Sequence, residues 1–93
     1  MTMRYIKVEW HHDHNDMPIL LYSELDEERW EVRKVEVFRG GSLGYAGHFG
    51  SHGPTMLGLV PVPPLAEIAS SPEFKPTEIT NEEFEEVWRR AIL

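Results

Sequence analysis

The run YSELDEERWEVRKVEVF, Tyr22 to Phe38, constrains the fold more than any other part of this chain. Val, Trp and Phe are interleaved with charges of both signs, and the β-branched content argues against a helix. The acidic cluster Asp26-Glu27-Glu28-Arg29 interrupts the run and reads as a turn between two strands. The second strand carries a phase slip. Trp30 and Val32 share one face, Val35 and Val37 take the other, and Phe38 returns to the first. Either both faces of that strand are covered, or a bulge near Arg33-Lys34 shifts its register.

Alternation extends to both sides. Arg4 to Trp10 predicts a strand with Ile6, Val8 and Trp10 on one face. HHDHND, residues 11–16, is a polar turn closed by Pro18, and Ile19 to Leu25 is a second strand. Trp30 to Arg39 is the third, Gly40-Gly41 a tight turn, and Leu43, Tyr45 and Phe49 mark a fourth. SHGPT then reads as a loop. Leu57 to Val62 suits a short edge strand, stopped by Pro61, Pro63 and Pro64. Leu65 to Ser70 suggests a helical turn, and Ser71-Pro72 begins another that Pro76 ends. The clearest helix is last. Thr80 and Glu83 form a capping box, Ile79 and Phe84 a hydrophobic staple, and Phe84, Val87, Trp88 and Ala91 one apolar stripe. The expectation is one compact α+β domain over residues 1–93. Its core element is an antiparallel four- to five-stranded meander sheet with the C-terminal helix packed on one face.

Charge and cysteine content narrow the function classes. There is no cysteine, which removes disulfides, thiolate metal sites and a cysteine nucleophile, and favours the cytoplasm. No apolar run approaches the ~20 residues that span a bilayer, and MTMRYIKVEW leads directly into a strand pattern. Neither a membrane anchor nor a signal peptide is expected. The formal charge of -7 repels nucleic acid and would draw in a basic protein partner. Arg29, Arg33, Lys34 and Arg39 are interleaved with Glu28, Glu31 and Glu36, so pairing with neighbours accounts for them.

The motifs with chemical potential are weak. His11, His12, Asp13 and His14 lie together, and His48 and His52 follow in a Gly-rich stretch, but no element fixes their spacing as a metal site requires. The run GGSLGYAGHFGSHG lacks the Lys and the following helix of a phosphate loop. Ser23, Ser42 and Ser51 belong to no nucleophile signature. No catalytic residue, metal or cofactor is therefore expected. The acidic turn residues Asp13, Asp16, Asp26, Glu27 and Glu28, with Trp30 beside them, are the candidate partner-binding residues, since interface anchors favour Trp.

Several segments carry a resemblance: YIKVEW, LLYSELDEERWEVRKVEVF, LGYA, PVPPLAEIASSPEF and ITNEEFEEVW. Over residues 3 to 91 the chain resembles a family of small bacterial proteins known as a domain of unknown function. It departs from that pattern in its histidines after Trp10 and in the Gly and His of His48 to Thr55. The resemblance implies a compact α+β fold and transfers no catalytic residue. Three hypotheses follow. The first is a small acidic binding protein of the immunity-protein or antitoxin kind, which covers the active site of a basic nuclease-type toxin. The alternative is a ligand- or metal-binding protein or enzyme using the His-rich turn with His48 and His52. The third is a structural or regulatory protein with no partner of high affinity.

Overall fold

Sequence alternation produces the strands where it is regular. A computed structural model of the chain describes residues 2–93. In it β1 is Arg4–Trp10, β2 Pro18–Leu25, β3 Glu31–Phe38, β4 Leu43–Gly47 and β5 Gly50–His52. A short helix α1, Leu65–Ala69, leads to β6, Phe74–Ile79, and the chain closes with α2, Asn81–Ile92. The sheet is antiparallel throughout, in the order β5-β4-β3-β2-β1-β6. The α+β fold, the meander and the C-terminal helix are as expected, with six strands rather than four or five.

The extra strands correct two local readings. Leu57 to Val62 is not a strand, because Pro61, Pro63 and Pro64 withhold ladder donors; β5 instead forms within the segment read as a loop. Phe74 to Ile79 is a strand rather than the end of a helical turn. Pro76 is tolerated there because β6 is an edge, pairing only with β1.

The phase slip in β3 has both of its proposed causes. Glu24 faces Arg33 while Leu25 faces Glu31, so Val32 is the bulged residue. Both faces of the sheet are also covered. On one, α2 packs Phe84, Val87, Trp88 and Ala91 against Tyr5, Val35 and Ile79. Thr80 and Glu83 cap α2 reciprocally, Glu82 and Glu83 meet its positive end, and Arg89 and Arg90 its negative end. On the other face Val62, Leu65, Ile68 and Phe74 cover Ile6, Val8 and Leu25. The covering segment, residues 53–73, is a strap carrying the chain from β5 at one edge to β6 at the other. No helix among the described residues is long and apolar enough to cross a membrane.

The strap needs Gly44. The fully buried Thr55 donates to Glu36 at 2.8 Å and lies so close to Gly44 that a methyl group there would collide with its hydroxyl. Gly44→Ala should therefore cost about 1–3 kcal/mol through overpacking, read as a lower urea midpoint. A parent-like midpoint would mean that the strap lifts from β4 without loss.

Candidate functional site

The turn between β2 and β3 is built by Asp26. Its Oδ1 accepts the N–H groups of Glu28 and Trp30, both at 2.9 Å, and its carbonyl accepts that of Arg29 at 2.9 Å. Arg29 is held at φ 69°, a left-handed conformation uncommon for a residue with a side chain. Three contacts hold it there. Its carbonyl accepts the Val62 N–H, and its guanidinium donates to the carbonyls of Val62 and Pro63, all at 2.8 Å.

Glu31 pins the strap a second time by accepting the Gly58 N–H. Between these fixed points, on either side of Trp30 in sequence, Leu59 and Val60 stand in solvent at 84% and 68% exposure. Trp30 is itself 40% exposed, and Met56 just ahead of the first pin is 68% exposed. Glu27 and Glu28 are exposed in the same turn. One end of the molecule thus carries large apolar side chains rimmed by carboxylates.

Asp13 and Asp16 are exposed as well, but in the turn between β1 and β2. That turn lies at the other end of strands seven and eight residues long. At ~3.3 Å per residue the two turns are separated by roughly 20 Å or more. The candidate partner-binding residues therefore form two groups, with Asp26, Glu27, Glu28 and Trp30 at one end and Asp13 and Asp16 at the other.

The histidine-rich turn is organised around the backbone. His12 Nε2 donates to the Pro18 carbonyl at 2.7 Å, and its Nδ1 accepts the His14 N–H at 3.0 Å. A carbonyl only accepts and an amide N–H only donates, so this geometry selects the neutral ring with its proton on Nε2. Both nitrogens are occupied. The ring also packs edge-on against Trp10 at 4.5 Å, and Arg39 donates to the His12 carbonyl at 2.8 Å. His48 lies in the turn after β4, and His52 stacks on Tyr45 at 5.6 Å. Among the described residues no three His, Asp or Glu side chains converge to hold a metal ion.

Much of the charge between Tyr22 and Phe38 is internal. Beneath α2, Arg33 makes a two-pronged contact with Glu24 at 2.6 and 3.0 Å and also donates to Glu85. Its guanidinium lies 4.9 Å from the Phe84 ring centre and 5.0 Å from that of Trp88. The Glu24 hydrogen bond, then that of Glu85, raises the Arg33 pKa despite burial, and the Arg33 contact lowers that of Glu85. Tyr5 donates to Glu24 and accepts from Asn81; burial, followed by the Glu24 contact, pushes its hydroxyl pKa up. Every member has a partner, so the network is internally satisfied. On the opposite face Lys34 lies 3.6 Å from Glu31 and 3.9 Å from Glu36, while Ser23 donates to Glu31 at 2.9 Å.

The family model described as Domain of unknown function (DUF6881) matches residues 4–93. The chain belongs to that family. Comparison with curated proteins and with solved structures gives no match.

In this DUF6881 domain, the sequence reading named Trp30 as a candidate partner-binding residue and did not single out the exposed Met56, Leu59 and Val60. Leu59 and Val60 sit in the stretch Leu57 to Val62 that reads as a stopped edge strand, and Met56 just precedes it. The available signal was the set of prolines at 61, 63 and 64, which remove the strand and with it the reason for burial.

Proposed function

We propose that this DUF6881 domain is a small acidic binding protein that engages a basic protein partner through the end of the sheet bearing Trp30. The observation that carries the reading is the exposure of Trp30, Leu59 and Val60 on two chain segments tethered together at Arg29 and Glu31, with Glu27 and Glu28 exposed in the same turn as Trp30. Contiguous exposed apolar side chains within a polar rim are a feature of protein interaction sites. The net charge of -7 supplies long-range attraction for a basic partner. The biological form that fits best is an immunity protein or antitoxin, whose carboxylates cover the phosphate-binding cleft of a nuclease-type toxin. The lack of cysteine agrees with action in a reducing cytoplasm.

Capture from cells of the native organism, followed by binding kinetics with the recovered protein, tests the reading. The partner should be basic, and its association should slow steeply as salt shortens the Debye length from ~10 Å at 0.1 M to ~3 Å at 1 M. Glu27→Gln with Glu28→Gln should act mainly on the association rate, since rim charges steer encounter. Trp30→Ala with Leu59→Ser should instead accelerate dissociation, with a loss of about 2 kcal/mol or more expected for a central anchor. Asp13→Asn with Asp16→Asn, at the far end, should change neither rate appreciably. Association indifferent to salt, or partner loss on changing Asp13 and Asp16 alone, would refute this assignment.

A further inference from the structure

A pocket of about 380 Å³, open to solvent, lies between sheet and strap, lined by Ile6, Val8, Leu21 and Phe74 on the sheet side and by Val62 and Ile68 on the strap side. Its size falls in the range of roughly 300–1,000 Å³ typical of small-molecule sites. Of the lining residues, Val62, Ile68 and Phe74 are only partly buried.

We propose that this cavity binds a small organic cation, a primary amine on a hydrocarbon body. The charge of the walls selects that class of ligand. Among the described residues, Glu31 and Glu67 are the charged ones lining the pocket, so every formal charge in its lining is negative. Glu31 is no surface carboxylate: its side chain is 6% exposed. Its Oε1 takes the Gly58 N–H and lies 3.6 Å from Lys34, whereas Oε2 accepts the Ser23 hydroxyl and keeps a second acceptor position. Ser23 also lines the cavity.

Lys34 is shared between Glu31 and Glu36, whose side chains are 6% and 13% exposed. Among the described residues it is the one cation in ion-pair contact with either, so the trio retains one negative charge beneath the strap. An ammonium group at Glu31 would offset that charge, while its hydrocarbon body would fill the apolar walls. An anion would meet two carboxylates. A neutral molecule would gain the apolar contact alone.

The proposal is independent of the protein interface, because Trp30 and Leu59 do not line the cavity. Methyl NMR of the whole chain tests it with three probes of similar body: phenethylamine, phenethyl alcohol and phenylpropionate. Phenethylamine should shift the methyl signals of Ile6, Val8, Leu21 and Ile68 saturably. The alcohol should bind roughly tenfold or more weakly, as loss of a charge-assisted hydrogen bond implies, and phenylpropionate should not bind. Ile68→Trp should fill the cavity and abolish the shifts while the remaining methyl spectrum stays dispersed. In folded Glu31→Gln protein the preference for amine over alcohol should disappear; should that variant unfold, Glu67→Gln should narrow the same preference. Absence of saturable shifts at these methyls, equal binding of the three probes, or unchanged amine binding in folded Ile68→Trp protein would overturn the proposal.

Discussion

Replacing Arg33 by Met is expected to destabilise the protein by about 3–5 kcal/mol, the range for breaking a buried ion pair by removing one partner. The loss comes mostly from what remains behind. Glu24 is 8% exposed at its side chain and would retain only the Tyr5 hydroxyl among its present donors. Exchanging both members, Arg33→Met with Glu24→Leu, should recover most of the stability, because apolar side chains of similar size carry no desolvation penalty. Urea unfolding of both variants decides between a network that stabilises and one that is merely satisfied. Equal losses in the single and double variants would show that packing of the Arg33 stem, not charge, dominates.

The pH dependence follows from Glu85. Its pKa is lowered in the folded state, chiefly by the Arg33 hydrogen bond. Such a group contributes stability above its unfolded pKa, and that contribution is lost as pH falls through the lower folded value. The acid side of the stability profile should accordingly flatten in Glu85→Gln protein. The effect is modest, since the Glu85 side chain is 35% exposed and solvent screens it.

The second large effect is expected at Trp88. This side chain is 7% exposed, stacks on Phe84, and meets Tyr45 and Phe49 edge-on at 5.6 and 5.8 Å. It also flanks the Arg33 guanidinium. Trp88→Ala removes the largest side chain of the α2 stripe and should cost ~3–5 kcal/mol. Phe49→Ala, at a residue 60% exposed, should cost much less. A Trp88→Ala protein that unfolds at the parent's midpoint would mean that α2 adds little to the sheet.

What the sequence made legible follows from the range of the interactions concerned. The capping box of Thr80 and Glu83 and the stripe from Phe84 to Ala91 are encoded within one helix, and both appear as read. The meander was equally accessible, because each of its hairpins pairs neighbouring segments. Phe74 to Ile79 was not: its strand character depends on β1, about seventy residues away, and its own Pro76 argues locally against it. The interleaved charges of β3 read as paired with their neighbours, with no indication of which face each occupies. The bulge at Val32 and two covered faces instead send Arg33 beneath α2 and Lys34 beneath the strap. At the candidate site, the solvent exposure of Glu27 and Glu28 was legible from turn composition. The role of Asp26 in building that turn was not, since it depends on a backbone geometry that composition does not specify.

The placement of β6 against β1 also governs how the chain reaches this structure. Tyr5 faces Ile79 and Trp10 faces Phe74, so β1 is completed by a strand made roughly sixty to seventy residues after it. During synthesis the five-stranded meander can zip from hairpin to hairpin, but one edge of β1 and both apolar faces of the sheet stay open. The ribosome must release the strap, β6 and α2 before they close. Pairings so distant in sequence require loop closure ahead of any compensating contact, which slows folding. Throughout that interval the nascent chain offers an unpaired strand edge beside Ile6, Val8 and Tyr5, a surface suited to a chaperone or to another unfinished copy of itself.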